Sequence, residues 1–166
     1  MKRVIAFLVC FTLLFSLCAC GSKKENEEDK RIKVTFNVDP DMSRSEKVYV
    51  KTSLPVGMKL EVEIRGGSYK SNEVVEVKEG GTDENYFQTE AQKDANDKLI
   101  KSGNYILKVT SPKYSEQSAD TINQIGKTGE NLYGTHVFYN EETKENFINF
   151  SKPLVLKKHN FSVNDK

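Results

Sequence analysis

Residues 58–65, MKLEVEIR, alternate an apolar with a charged side chain along their whole length. Successive side chains of a β-strand point to opposite faces of a sheet, so this spacing gathers the apolar side chains on one face. In a helix the same side chains would be spread around the axis. Proline and glycine residues flank the stretch and mark turns. The stretch therefore predicts a strand with one buried and one solvated face.

The same alternation recurs between residues that favour turns. Pro40, Gly81 and Pro112 each follow one of the alternating stretches. Short strands with one polar face each bury their apolar faces in pairs of sheets, so the sequence predicts an all-β fold, a single antiparallel β-sandwich of about seven strands. The other alternating stretches are 32–38, 48–52, 75–77, 86–89, 105–109, 137–140 and 147–156.

One stretch has a helical period instead. Ser118 is placed to cap a helix, Gly126 is placed to end it, and three apolar residues between them lie at helical spacing. This predicts one short helix or turn near 118–125, with an apolar stripe that packs on a sheet. The apolar residues are Ala119, Ile122 and Ile125.

Residues 111–135 form the longest stretch without strand alternation, and loops of that length in compact domains are usually functional or disordered. Glycines in the second half let the backbone turn tightly or approach a partner closely. Asn131 and Tyr133 add a hydrogen-bonding and a stacking side chain. Two interpretations stay open: the segment is a candidate contact surface centred on Asn131 and Tyr133, or it is a structural crossover between the sheets.

Leu99 and Tyr105, with Ser102 and Gly103 between them, resemble the tyrosine corner of immunoglobulin-like and fibronectin-like sandwiches. The resemblance implies that the Tyr105 hydroxyl bonds to upstream backbone across the arch between the sheets. The alternative is an ordinary core tyrosine at the start of a strand.

The N-terminus begins with two basic residues and an apolar run at 4–17, shorter than the roughly 20 residues of a membrane span. The run ends in Leu17-Cys18-Ala19-Cys20, which resembles the cleavage and lipidation box of bacterial lipoproteins. The resemblance implies a signal peptide at 1–19 and a diacylglyceryl group on Cys20. The protein would then be anchored in the cell membrane by lipid, on the extracytoplasmic face. The alternatives are an ordinary secretory peptide and an uncleaved short anchor.

Three stretches of the sequence resemble stretches of small uncharacterised lipoproteins from Gram-positive bacteria: TSLPVGMKL at 52–60, LIKSGNYILKV at 99–109 and IGKTGENLYG at 125–134. The resemblance implies an immunoglobulin-like β-sandwich after the N-terminal segment, and it implies no activity. A lysine content far above that of arginine also favours a Gram-positive source.

The domain organisation follows from composition. Residues 21–31, GSKKENEEDKR, contain no apolar side chain, so 20–31 is expected to be a lipidated cysteine followed by a flexible charged tether. The predicted β-sandwich domain spans 32–158, and the polar residues 159–166 are expected to form a frayed tail.

Charge and cysteine content exclude several classes of function. The formal net charge of +1 argues against nucleic acid as a partner. All 3 cysteines lie at positions 10, 18 and 20, so the chain after residue 20 has no disulfide, no thiolate nucleophile and no cysteine metal site.

Nucleophilic catalysis needs a nucleophile, a base and an orienting group. The 2 histidines are His136, at the start of a predicted strand, and His159, in the polar tail. A Gly-x-Ser-x-Gly elbow is missing from the sequence. We therefore predict no enzyme, no catalytic residues and no cofactor.

Asn37, Asp39, Asp41 and Ser43 form a candidate calcium site, because their side-chain oxygens recur at alternate positions. An EF-hand loop starting there would need Gly and Glu where Met42 and Val48 stand. A solvated turn is the preferred interpretation, as it is for Asp83 and Glu84. The prediction is that the chain has no metal site.

Exposed aromatic rings are the usual platform for sugars, and this chain has no tryptophan. Its Tyr and Phe residues are expected to be mostly core. The expected function is a non-enzymatic binding or interaction module that contacts a protein or a cell-wall polymer. The alternative is a solute- or carbohydrate-binding lipoprotein that works with a membrane complex. The rings considered as a platform are Tyr86, Phe87, Tyr114, Tyr133, Phe138 and Tyr139.

Overall fold

The computed structural model describes residues 31–81 and 84–164. The predicted signal peptide, Cys20, the tether up to residue 30 and Asp83 lie outside the described residues. Within them the chain forms eleven β-strands, one α-helix and a 3-10 turn at Tyr114–Glu116. The elements are β1 (Ile32–Lys33), β2 (Phe36–Val38), β3 (Tyr49–Thr52), β4 (Lys59–Gly66), β5 (Tyr69–Glu76), β6 (Asn85–Gln88), β7 (Gly103–Thr110), α1 (Ala119–Ile125), β8 (Leu132–Tyr133), β9 (Val137–Asn140), β10 (Glu145–Lys157) and β11 (Asn160–Val163).

The larger sheet is antiparallel, with the strand order β5-β4-β7-β10-β11 and with β9 also paired to β10. The strand that the sequence marks most clearly, β4, lies inside this sheet between β5 and β7. Leu60, Val62 and Ile64 are at most 2% exposed, and the residues between them point to the opposite face. The alternating pattern is therefore confirmed as a half-buried strand.

The smaller sheet is also antiparallel and has the order β2-β3-β6. The ring of Phe36 in β2 stacks on that of Phe150 in β10 at 4.8 Å and meets the ring of Phe87 in β6 edge-on at 6.4 Å. The two sheets thus share one hydrophobic core, to which both contribute buried side chains. An all-β fold is confirmed.

The strand count differs from the prediction, because eleven strands are present where about seven were expected. The alternating stretch 32–38 predicts one strand, but it divides into β1 and β2, which join different sheets. At the break, Ser53 Oγ accepts a hydrogen bond from the Thr35 N–H (3.0 Å) and donates one to the Lys33 carbonyl (2.5 Å). These backbone groups are satisfied by a side chain, so the ladder is interrupted without leaving them unpaired.

The helix predicted near 118–125 is present as α1. Ser118 Oγ accepts a hydrogen bond from the Thr121 N–H (3.1 Å), and Gly126 ends the helix with φ = 87°. The buried face differs from the predicted stripe, since Ala119 is exposed and Thr121 is fully buried beside Ile125. The Thr121 hydroxyl lies 2.9 Å from Ser118 Oγ, which satisfies this buried polar group. In the described ranges, no helix is long and apolar enough to cross a bilayer.

The loop after α1 pairs with the start of the domain. β8 runs parallel to β1, with Leu132 opposite Ile32. The Ile32 N–H donates to the Asn131 carbonyl (2.7 Å) and the Val34 N–H donates to the Tyr133 carbonyl (2.8 Å). This segment therefore holds the chain at the point where it enters the domain.

The expected frayed tail at 159–166 is corrected by the structure, because residues 160–163 form β11. This strand pairs with β10, and Phe161 is fully buried. Lys158 and His159 form the two-residue turn between them, both with positive φ. Such turns are usually marked by Asn-Gly or Asp-Gly, so this Lys-His turn lacks the sequence signal for a hairpin.

Tyr105 starts the core face of β7, with 8% exposure. Its hydroxyl donates to the Lys101 carbonyl at 2.6 Å, as the tyrosine-corner comparison implied. Leu99, the other residue of that comparison, is 44% exposed, and the adjacent Ile100 is buried. The Ile100 N–H donates to the Gln92 carbonyl (3.2 Å).

Candidate functional site

A group of polar side chains from three strands converges on the outer face of the larger sheet. Antiparallel register places Glu63 between Asn72 of β5 and Lys108 of β7, and places Glu61 between Val74 and Thr110. These residues line a shallow cavity of about 480 Å³. We call it the sheet-face depression and define it by Glu61, Glu63, Asn72, Val74, Lys108 and Thr110.

Charges on this face are close to balanced. Glu63 forms ion pairs with Lys70 Nζ (2.8 Å) and Arg65 Nε (3.7 Å). The hydrogen bond from Lys70 and its positive charge hold the pKa of Glu63 below the usual value, so this carboxylate is ionised at neutral pH. The depression offers an amide, a hydroxyl, an ammonium group and two carboxylates, the groups that hydrogen-bond a hydroxyl-rich or amide-rich ligand.

Two aromatic rings, one exposed and one half-buried, continue the same face beyond β7. Phe147 and Asn149 are two residues apart in β10 and so point to one face, and Asn149 pairs with Thr110 of the depression. Phe138 of β9 lies opposite Phe147, with ring centroids 5.8 Å apart. Phe138 is 45% exposed. The outer face therefore combines a polar centre with an aromatic pair at one end.

The structure places Asn131 and Tyr133 beside the entry of the chain into the domain, away from the strands that form the depression. The Asn131 side chain donates to the Gln124 carbonyl at the end of α1 (2.9 Å). The guanidinium of Arg31 lies over the Tyr133 ring, 4.8 Å from its centroid. Both side chains thus make contacts within the chain, and Tyr133 keeps 39% of its surface exposed. Their role as a contact surface stays a prediction.

The other rings considered as a platform divide into core and surface. Phe87 and Tyr114 are buried, and burial raises the pKa of the Tyr114 hydroxyl to about 12. Tyr86 stacks on Tyr49 at 4.7 Å on the smaller sheet. Tyr139 is 53% exposed, on the face of the β9–β10 hairpin opposite to Phe138. Phe138 lies on the same outer face as the depression but does not line it.

The two histidines lie far apart in the fold and in different surroundings. His136 packs against the rings of Phe36 and Phe150, at 5.8 Å and 5.0 Å. His159 Nδ1 forms a hydrogen bond with Oε1 of Glu46, a carboxylate whose side chain is only 1% exposed. Glu46 Oε2 is buried without a hydrogen-bond partner. Sequence reasoning missed this buried acid, because Glu46 stands in a polar turn.

The carboxylate of Asp39, in the candidate calcium site, makes hydrogen bonds and an ion pair within the chain. Its Oδ1 accepts from the Asp41 and Met42 N–H groups (3.0 and 3.2 Å), and its Oδ2 pairs with Lys51 (2.9 Å). The Lys51 hydrogen bond holds the pKa of Asp39 below its usual value. Among the residues that the structure describes, no group of three or more His, Cys, Asp or Glu side chains is arranged to hold a metal ion.

The chain matches no protein-family model, no curated protein and no solved structure. The functional argument therefore depends on the residues of this chain alone. Sequence reasoning missed the depression because alternating polar residues in a strand indicate only a solvated face. The register that brings Asn72, Glu63 and Lys108 side by side is a tertiary feature.

Proposed function

We propose that the protein is a lipid-anchored extracytoplasmic binding module without enzymatic activity, and that it contacts its partner through the outer face of the larger sheet. The observation that carries the proposal is the sheet-face depression, where side chains from β4, β5 and β7 converge on the face that also carries the Phe138–Phe147 pair. The anchor is proposed from the Leu17–Cys20 box, which lies outside the described residues.

The strand order supports an immunoglobulin-like sandwich as the scaffold of this module. In that architecture the first, second, fourth and fifth strands form one sheet, and the third, sixth and seventh form the other. If β2 to β7 and β10 are numbered as the seven, β2, β3 and β6 take the first, second and fifth places in one sheet, and β4, β7 and β10 take the third, sixth and seventh places in the other. The fourth strand, β5, departs from the pattern because it pairs with β4. The Tyr105 hydrogen bond to upstream backbone fits the same class. The short strands β1, β8, β9 and β11 are then additions to it.

The chemistry of the face favours a hydrated cell-wall polymer as the partner. The centres of protein–protein interfaces are depleted in charged residues and enriched in aromatic residues. The depression has the opposite character, because Glu61, Glu63 and Lys108 line it and no aromatic ring does. Hydroxyl and amide groups of a glycan strand would find donors and acceptors along the sheet.

Co-sedimentation with purified cell-wall sacculi tests the proposal on the detergent-solubilised full chain. We expect Asn72→Ala/Lys108→Ala to weaken binding to the sacculi about thirtyfold, since each of the two lost hydrogen bonds contributes about 1 kcal/mol. Asn37→Ala/Lys51→Ala is the matched control, because it removes the same two residue types from the smaller sheet. Equal losses in both variants, or no loss in either, would exclude the larger sheet as the binding face.

The anchor is tested separately. Cys20→Ser should abolish incorporation of labelled fatty acid and leave an unprocessed precursor, because lipidation needs the thiol. If the wild-type chain takes up no labelled fatty acid, the proposed lipid anchor on Cys20 is wrong, and this conclusion does not depend on the sedimentation result.

A further inference from the structure

The edge strand β5 presents an unusually long open edge. It pairs with β4 on one side, and within 31–81 and 84–164 no strand lies along its other side. Val74 is 63% exposed, the largest value among the exposed large hydrophobic residues of those ranges. Open strand edges are templates for pairing with another strand.

The register identifies the backbone groups on this edge. A two-residue loop, Gly67 and Ser68, joins β4 to β5, so the closing residues Gly66 and Tyr69 bond to each other. At the far end the Val77 N–H donates to the Met58 carbonyl (2.9 Å). Odd-numbered residues of β5 therefore bond to β4. The N–H and C=O groups that face outward belong to Lys70, Asn72, Val74 and Glu76.

The segment that passes closest to β5 contacts its inner side chains. Glu73 accepts hydrogen bonds from the Glu90 N–H (2.9 Å) and from Gln92 Nε2 (3.1 Å). Gln92 Oε1 also accepts from the hydroxyls of Tyr69 (2.9 Å) and Ser71 (2.5 Å). These bonds fix the strand in place and leave its outward backbone groups to a partner.

The charges along this edge are self-complementary. If a second β5 lies antiparallel with the two-fold axis at Glu73, Lys70 faces Glu76 of the other copy, and the pair occurs twice. Val74 then lies diagonal to its own copy. Glu73 faces itself, but both of its oxygens already accept hydrogen bonds from its own chain. A two-fold axis at Asn72 would instead place Lys70, which keeps its ion pair with Glu63, against Val74, and Glu76 would gain no positively charged partner.

We propose that two copies of this chain associate through β5, antiparallel, with Lys70 of each copy opposite Glu76 of the other. The contact continues the larger sheet across the two-fold axis. A closed, isologous pairing of this kind covers both open edges at once.

Disulfide cross-linking of the full chain tests the register. Two differently tagged versions, one with Asn72→Cys and one with Val74→Cys, are co-expressed and oxidised. In the proposed register these positions face each other about 5.5 Å apart, within the range that a disulfide bridges. We expect a mixed-tag dimer in large excess over the background of the wild-type chain, whose cysteines are at 10, 18 and 20. Asn149→Cys, on the outer face of β10, is the matched control and should stay at background.

Substitutions that change the charge of Glu76 provide a second test of the dimer. Glu76→Lys should lower the yield of the mixed dimer about tenfold, because two attractive cross-strand pairs become repulsive. Glu76→Gln should lower it less. The proposal is overturned if the mixed dimer stays at background, if Asn72→Cys alone gives the dominant dimer, if another protein is captured instead, or if Glu76→Lys leaves the yield unchanged.

Discussion

At the scale of single residues, the Tyr105 hydroxyl links β7 to the segment before it. The ring packs edge-on against Phe161 (5.7 Å) and Tyr69 (6.0 Å), and it lies so close to Gly66 that a Cβ there would be 2.6 Å from Tyr105 Cδ1. We predict that Tyr105→Phe lowers the free energy of unfolding by about 1–3 kcal/mol, since the Lys101 carbonyl loses its donor and the ring is kept. Urea denaturation measures the change.

Tyr139→Phe is the control for that experiment, because Tyr139 is 53% exposed. Its hydroxyl can bond to water in either state, so this variant should unfold like the wild type. A cost near zero for Tyr105→Phe would mean that the hydrogen bond to Lys101 does not stabilise the fold.

At the scale of elements, β11 belongs to the core. Phe161 is fully buried, and its N–H donates to the Ser43 carbonyl (3.1 Å). We predict that Phe161→Ala lowers the free energy of unfolding by about 3–5 kcal/mol, the usual cost of emptying a buried aromatic site. Ser162→Ala is the matched control on the outer face of the same strand. If urea denaturation shows a similar, small loss of unfolding free energy in both variants, β11 does not contribute to the core.

The strands and the helix differ in how well the sequence predicts them. β4 and α1 were predictable, because a hydrophobic period or a cap–stop pair is a local signal. β11 was missed, since Lys158-His159 makes its turn without the residues that usually mark one. The sequence marks polar faces, but the depression needs the register of three strands, which is set by packing and by turn geometry.

At the scale of the whole molecule, one core must stabilise a domain without cysteine after residue 20. We predict that the fragment 31–164 melts in a single cooperative transition, at the same temperature with or without a reductant and a chelator. The two sheets share one hydrophobic cluster, so they are expected to unfold together. Calorimetry is the measurement, and the shorter fragment 31–158, which lacks β11, is the comparison. A large drop in melting temperature with the chelator would reveal a metal that stabilises the fold.

The parallel pairing of β1 with β8 has a mechanical consequence. A pull on the N-terminal segment reaches the domain at Ile32 and is resisted first by two backbone hydrogen bonds, those of the Ile32 and Val34 N–H groups. The nine other strands of the described residues form far longer ladders in the two larger sheets. Under load this short pair would open together with the hydrogen bonds of Ser53 to Lys33 and Thr35, and Val34 would leave the core at the same step. About four residues, or roughly 13 Å of extended chain, would be released before the load reached β2.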